Sequence, residues 1–244
     1  CVFQHLSDKN SQYLKLYRYT NDFKYIDQQT IPLPYKEWGG LYQGEDGNYY
    51  AAVGQKNLKY DNAKIVFTII KFNSDFKEVA RCNINGAQSY TALPYDTGHA
   101  SMTMDGTTLI VHTDRLRYLT EDGMNHQSNI SFMIDTTDMS LLYAGAIFPY
   151  NHAGHSMNQI VKMDGRQLIY IDHGDAYPRS LVLQTHYNFS PTGWSDDYSN
   201  RPNIKAIDLI PIVGKTGWNY TGLTVSGLEI GRNNNIVAGV SVAH

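Results

Sequence analysis

This sequence predicts an all-β fold of four-stranded antiparallel blades arranged as a β-propeller, and three observations predict it. Asp-Gly pairs stand at 46–47, 105–106 and 164–165, a constant 59 residues apart, and a fixed period of that size marks a repeat architecture. The apolar runs between them are short, β-branched or aromatic, and bounded by Gly, Asn, Asp and Pro, with no sustained helical periodicity. Each period holds four such runs, the content of one propeller blade.

The elements follow in chain order. Asp-Gly before β-favouring residues reads as a hairpin turn, because Gly accepts the positive φ such turns need. Tyr13–Arg18 and Phe23–Pro32 form an opening strand pair joined at Asn21-Asp22. The first full unit holds Trp38–Tyr42, Tyr49–Gln55, Lys64–Phe72 and Glu78–Ile84. The second holds His99–Met104, Thr108–Thr113, Ser128–Asp135 and Ser140–Ala146, and the third His155–Met163, Gln167–Asp172, Leu181–Asn188 and Lys205–Ile210. Two strands close the chain, Gly222–Ile230 and Ile236–Val242. The blades therefore fall near 38–95, 96–150 and 151–213, with 214–244 joined to 1–35 as a fourth. That join removes exposed sheet edges. The competing arrangement is a piece of a larger propeller. A start at Cys1 rather than Met favours a processed form or fragment of a larger surface protein, with Cys1 either a lipid-modified terminus or simply where the piece begins.

Composition narrows the function classes. Hydrophobic residues at 42% are enough for a core, and 18% charged residues fall below the usual share of about 25%. Nineteen tyrosines suit half-buried strands and contact surfaces alike. A net charge of −3 and a pI near 6.3, with no cluster of Lys and Arg among aromatics, exclude a nucleic-acid partner. No apolar stretch approaches the roughly 20 residues of a membrane span. Two cysteines do not make a disulfide scaffold, and Cys82 shares a strand face with Ala80 and Ile84 as a free core thiol.

Three stretches carry a resemblance: Asn125-His126-Gln127-Ser128-Asn129, His155-Ser156-Met157-Asn158-Gln159, and above all Asp172-His173-Gly174-Asp175-Ala176-Tyr177-Pro178-Arg179-Ser180. They resemble repeats in uncharacterised propeller-like proteins of the bacterial cell surface, over most of the chain. The resemblance implies an extracellular or cell-surface location and further blades, and it supplies no activity.

In an antiparallel blade the end of the second strand lies beside the start of the first. That pairing gathers His99, His112, Asp114, Arg115, His155, Asp172, His173, Asp175 and Arg179 at one mouth of the ring. Three readings compete for it. One is a surface recognising a glycan or a protein loop, as loops on rigid scaffolds do. Another is a divalent metal site built from His99, His155 and His173. The third is a structural network in which Asp172, Asp175 and Arg179 hold one another while His99 and His155 cap the channel. Pro178 makes Asp175–Arg179 a shaped turn; with Tyr177 beside it, Arg179 either offers a planar fork to a carboxylate or sulfate, or pairs with Asp175. His126 reads as a solvated loop residue. No Gly-x-Ser-x-Gly elbow, nucleophilic cysteine motif or phosphate loop is present. The expectation is an extracellular, non-catalytic module without a cofactor, binding a glycan or protein at the mouth or assembling with itself. The alternative is a secreted metal-dependent hydrolase or lyase at the same mouth.

Overall fold

The computed structural model describes residues 1–8, 11–145, 158–176, 179–191, 204–231 and 236–242. The protein is all-β, and the described residues build five antiparallel sheets. The first sheet has the order β1 (Val2–Ser7), β2 (Gln12–Tyr19), β3 (Tyr25–Leu33). The second runs β4 (Glu37–Gln43), β5 (Tyr49–Gly54), β6 (Ile65–Phe72), β7 (Glu78–Asn85). A single helical turn, α1 (Gly86–Ser89), and a short strand, β8 (Thr91–Pro94), lead into β9 (Ser101–Asp105), β10 (Thr108–Leu119), β11 (Asn125–Asp135) and β12 (Ser140–Gly145). The long β10 pairs with β9 along its first half and with β8 along its second. The fourth sheet is β13 (Asn158–Asp164), β14 (Gln167–Gly174), β15 (Ser180–Tyr187), β16 (Ile204–Pro211), and the fifth is the pair β17 (Thr224–Ile230), β18 (Ile236–Ser241).

The Asp-Gly turns behave as their chemistry requires. Gly47, Gly106 and Gly165 have φ of 77°, 57° and 56°, in the left-handed region that glycine enters without steric penalty. Each lies between the first two strands of its sheet. The turns are not equivalent, however. Asp105 pairs with Thr108 and Asp164 with Gln167 across two-residue turns, whereas Asp46-Gly47 sits in a wider loop flanked by the Gln43–Tyr49 pair. That loop shifts which residues of β5 face forward along the stack.

The sheets pack face to face in chain order. Leu14, Leu16 and Ile31 of the first meet Ala51, Val53 and Ile70 of the second. Tyr50, Phe67 and Ile69 of the second meet Met102, Leu109 and Phe132 of the third. Ile110 and Met133 of the third meet Val161, Leu168 and Tyr170 of the fourth, and Ile169 and Ile171 of the fourth meet Val225 and Leu228 of the fifth. Central strands are therefore buried on both faces, which explains why they read as nearly continuous apolar runs. The first strands also stand side by side. Ser101 Oγ accepts from the Val161 amide at 3.0 Å and Thr103 Oγ1 from the Met163 amide at 2.9 Å, both contacts spanning 60 residues.

Three features depart from the sequence reading. The chain opens with three strands rather than two, because Val2–Ser7 pairs with β2 along its length. No strand pairing joins this sheet to β17–β18 among the described residues. The α1–β8 insert was also unforeseen: four residues are too few to show a helical period, although the Asn85–Gln88 capping box stands on both sides of the turn. Cys82 is buried against the second core cluster and Cys1 is exposed, both as free thiols. No helix among the described residues is long and apolar enough to cross a membrane.

Candidate functional site

Strand alternation sorts the predicted residues onto two sides of β14. Leu168, Tyr170 and Asp172 point back to the third sheet, while Ile169, Ile171 and His173 point forward to the fifth. On β10, His112 and Asp114 share the face of Ile110, and His112 meets Tyr170. Arg115 lies on the opposite face.

The backward-facing group forms a buried polar network. Asp172 is fully buried and accepts from Tyr170 Oη at 2.7 Å and from Asn129 Nδ2. Asn129 Nδ2 also donates to Tyr170 Oη at 2.7 Å. The His112 ring stands edge-on to Tyr170, with centroids 4.3 Å apart, and its Nδ1 lies 2.7 Å from Ser131 Oγ. Burial and the neighbouring Asp172 carboxylate push the Tyr170 phenol well above its usual range, so it serves as a donor. Asp114, fully buried, takes the Thr97 amide at 2.7 Å and Thr97 Oγ1 at 3.2 Å on Oδ2; burial pushes its carboxyl up to about 6.

His99 sits just before β9, half-buried. Its carbonyl accepts from Gln159 Nε2 at 2.8 Å and Thr113 Oγ1 at 3.3 Å, and Gln159 lies opposite Asp172 in the β13–β14 register. Burial lowers the imidazole's pKa, while the charge of Asp172 works against that shift. The ring is therefore neutral at pH 7. Arg115 donates to Ser128 Oγ at 3.3 Å and to the Ser89 carbonyl, and burial depresses its guanidinium to about 9.

The forward-facing group is separate. His173 is buried and lies opposite Leu181. The Asp175 carbonyl accepts from the Gly217 amide at 2.9 Å. Arg179 spends its fork on the carbonyls of Gly214 (2.6 Å), Ile212 (3.2 Å) and Trp218 (3.4 Å), so it fastens the 212–218 loop rather than pairing with Asp175. His155 and Tyr177 lie outside the described residues. His126 is a half-exposed loop residue whose Nε2 meets Asp122 Oδ2 at 2.6 Å; hydrogen bonds from Thr120 and then His126 hold Asp122 at about 2.

Sequence reasoning missed Asn129, Ser131, Tyr170, Gln159 and Gln184, all buried and polar. The signal was present in β14, where period-two alternation puts Tyr170 on the face of Asp172. Their partners on β11 needed the sheet packing.

A metal ion requires neutral imidazoles and several converging donors. His99 meets the first requirement. Among the described residues, no three His, Cys, Asp or Glu side chains gather as a cation cage. The predicted set of His99, His155 and His173 is therefore not completed there, and His173 faces away from the Asp172 side of β14.

No family model and no curated protein matches the chain. Solved structures do. An apocarotenoid oxygenase/RPE65 chimera in a monoclinic crystal form matches with a TM-score of 0.51 and 12% identity, over 93% of this chain and 47% of that one. The trigonal form of the chimera and a tryptophan-to-alanine mutant of the Synechocystis apocarotenoid oxygenase each match with a TM-score of 0.50 and 11% identity, over the same shares. This chain spans about half the length of those proteins, and at this identity the likeness is one of fold. The expectation of a non-catalytic module for a glycan or protein is corrected by it: the solved structures on this fold are oxygenases by name. The expectation of no cofactor has no support in them.

Proposed function

We propose that the chain is part of a β-propeller enzyme that works with a metal at the end of the stack bearing His99, and that oxidative chemistry on an apolar substrate is the class to test first. One observation carries the reading: a histidine held neutral by burial stands beside a buried, hydrogen-bonded carboxylate, at the end of side-by-side first strands. The five stacked sheets are the blades in this proposal, with β4, β9, β13 and β17 innermost. His99 and His155 each stand shortly before a Ser-Met pair, Ser101-Met102 and Ser156-Met157, and would be the imidazoles that hold the ion. The metal would supply redox or Lewis-acid chemistry. Asp172, steadied by Tyr170 and Asn129, sets the charge beside His99, and the apolar walls at Ile110, Met133 and Val161 keep water from that network. The cell-surface address belongs to the proposal on the strength of the sequence resemblance.

Elemental analysis of the purified protein, grown without added metal, tests this. Near-stoichiometric iron, manganese or zinc that is lost on His99→Ala and His155→Ala, with oxygen uptake on an apocarotenoid probe, is the expected result. A metal-free protein that takes up none on titration overturns it.

A further inference from the structure

Asn129 stands between two buried acids. Its side chain lies directly across the β10–β11 ladder from Asp114, a spacing of about 5 Å between Cβ atoms, and it donates to Asp172 on the facing sheet. One amide has one NH2 group. With that group turned to Asp172 and Tyr170, neither Asn129 Oδ1 nor Asp114 Oδ1, on cross-strand neighbours, has a hydrogen-bond partner. Turning the amide over would satisfy Asp114 and place an oxygen against Asp172 instead. In either orientation one donor is missing between two buried acceptors, a costly arrangement unless something fills it. Asp172 already takes Tyr170 Oη, so the deficit falls at Asp114.

We propose that Asp114 carries a proton and donates it to Asn129 Oδ1, so that in mild acid a carboxylic acid fixes the amide that bridges the third sheet to the fourth, and the bridge loosens as that acid ionises. The surrounding titratable and charged groups leave the proton there. Asp96 and Tyr95, in the segment before β9, add negative charge and a buried phenol. His112 is turned to Ser131 and Tyr170, and His99 is neutral. Asp172 is a second acid. Arg115 is on the other face of β10, occupied by Ser89 and Ser128, and no described cation forms an ion pair with Asp114. The raised carboxyl, about 6 against an ordinary 3.8, is the expected consequence. Its sign is unusual for an acid: the stabilisation is complete below about pH 4 and is lost as pH rises through about 6.

Difference infrared spectroscopy of the whole chain reads the proton directly. A protonated-carboxyl band is expected near pH 5, titrating well above the ordinary Asp range, absent in Asp114→Asn and moved in frequency in Asn129→Leu. Equilibrium unfolding gives the second readout. Relative to Asp114→Asn, whose amide supplies the donor at every pH, the wild-type unfolding constant should rise about 100-fold between about pH 4 and pH 7.5. Parallel pH profiles for the two proteins overturn the proposal. So does a wild-type spectrum with no such band, a result that stands even if Asp114→Asn fails to fold. Stabilisation by Na+ or Ca2+ that vanishes in Asp114→Asn would put a cation where the proton is proposed.

Discussion

Two neighbouring interfaces use the same hairpin geometry and opposite chemistry. Between the second and third sheets, Gly54 stands opposite Phe67; between the third and fourth, 60 residues on, Asp114 stands opposite Asn129. At the first place there is no room for a side chain, since a Cβ on Gly54 would lie 2.6 Å from the Val66 carbonyl and 2.7 Å from Pro94. Phe67 fills the space, edge-on to Phe132 at 5.0 Å and to Tyr95 at 5.3 Å. At the second place the ring is replaced by an amide and the glycine by an acid, and His112, Tyr170, Asp172 and Gln184 extend the polarity. The apolar interface needs only shape. The polar one needs every donor matched to an acceptor, and it leaves the Gln184 amide, Asn129 Oδ1 and Asp114 Oδ1 unmatched. Retaining such a network in a stack that can be built dry is expected where chemistry, rather than stability, is served.

Substitutions on the two sides should separate them by size of effect. Phe67→Ala removes a fully buried ring and is expected to lower stability by about 3–5 kcal/mol in urea unfolding. Asn129→Leu conserves volume but strips Asp172 and Tyr170 of their shared donor, for a loss of about 1–3 kcal/mol; a loss as large as that of Phe67→Ala would mean the polar interface is the stronger one. His99→Ala, at the half-buried head of β9, should change stability by less than about 1 kcal/mol while abolishing metal uptake. At the exposed edge, Asp27→Asn breaks the bidentate contact with Arg18 and should leave the melting temperature unmoved, because solvated ion pairs contribute little.

Much of the fold was legible in particular residues. The Asp-Gly pairs at 105 and 164 gave the turn, the period and the strands on either side, because a two-residue hairpin and the period-two pleat are local properties. The pair at 46 gave the period, which does not record that its wider loop shifts the facing of β5 by one residue. Val2–Ser7 escaped notice because an exposed edge strand carries little apolar pattern. At the site, chain spacing brought His99, His112, Asp114 and Asp172 to one end, yet it also added His173, which β14 turns to its other side, and Asp175 and Arg179, which lie beyond the end of β14.

The sequence by itself determined the all-β class and most of the antiparallel strands between Glu37 and Pro211, because turn chemistry and side-chain alternation act within a few residues. Only the tertiary structure decided which polar residues meet. Asn129 touches Asp172 across 43 residues of chain, and that contact depends on how two sheets stack. It is set by packing, which no local pattern records.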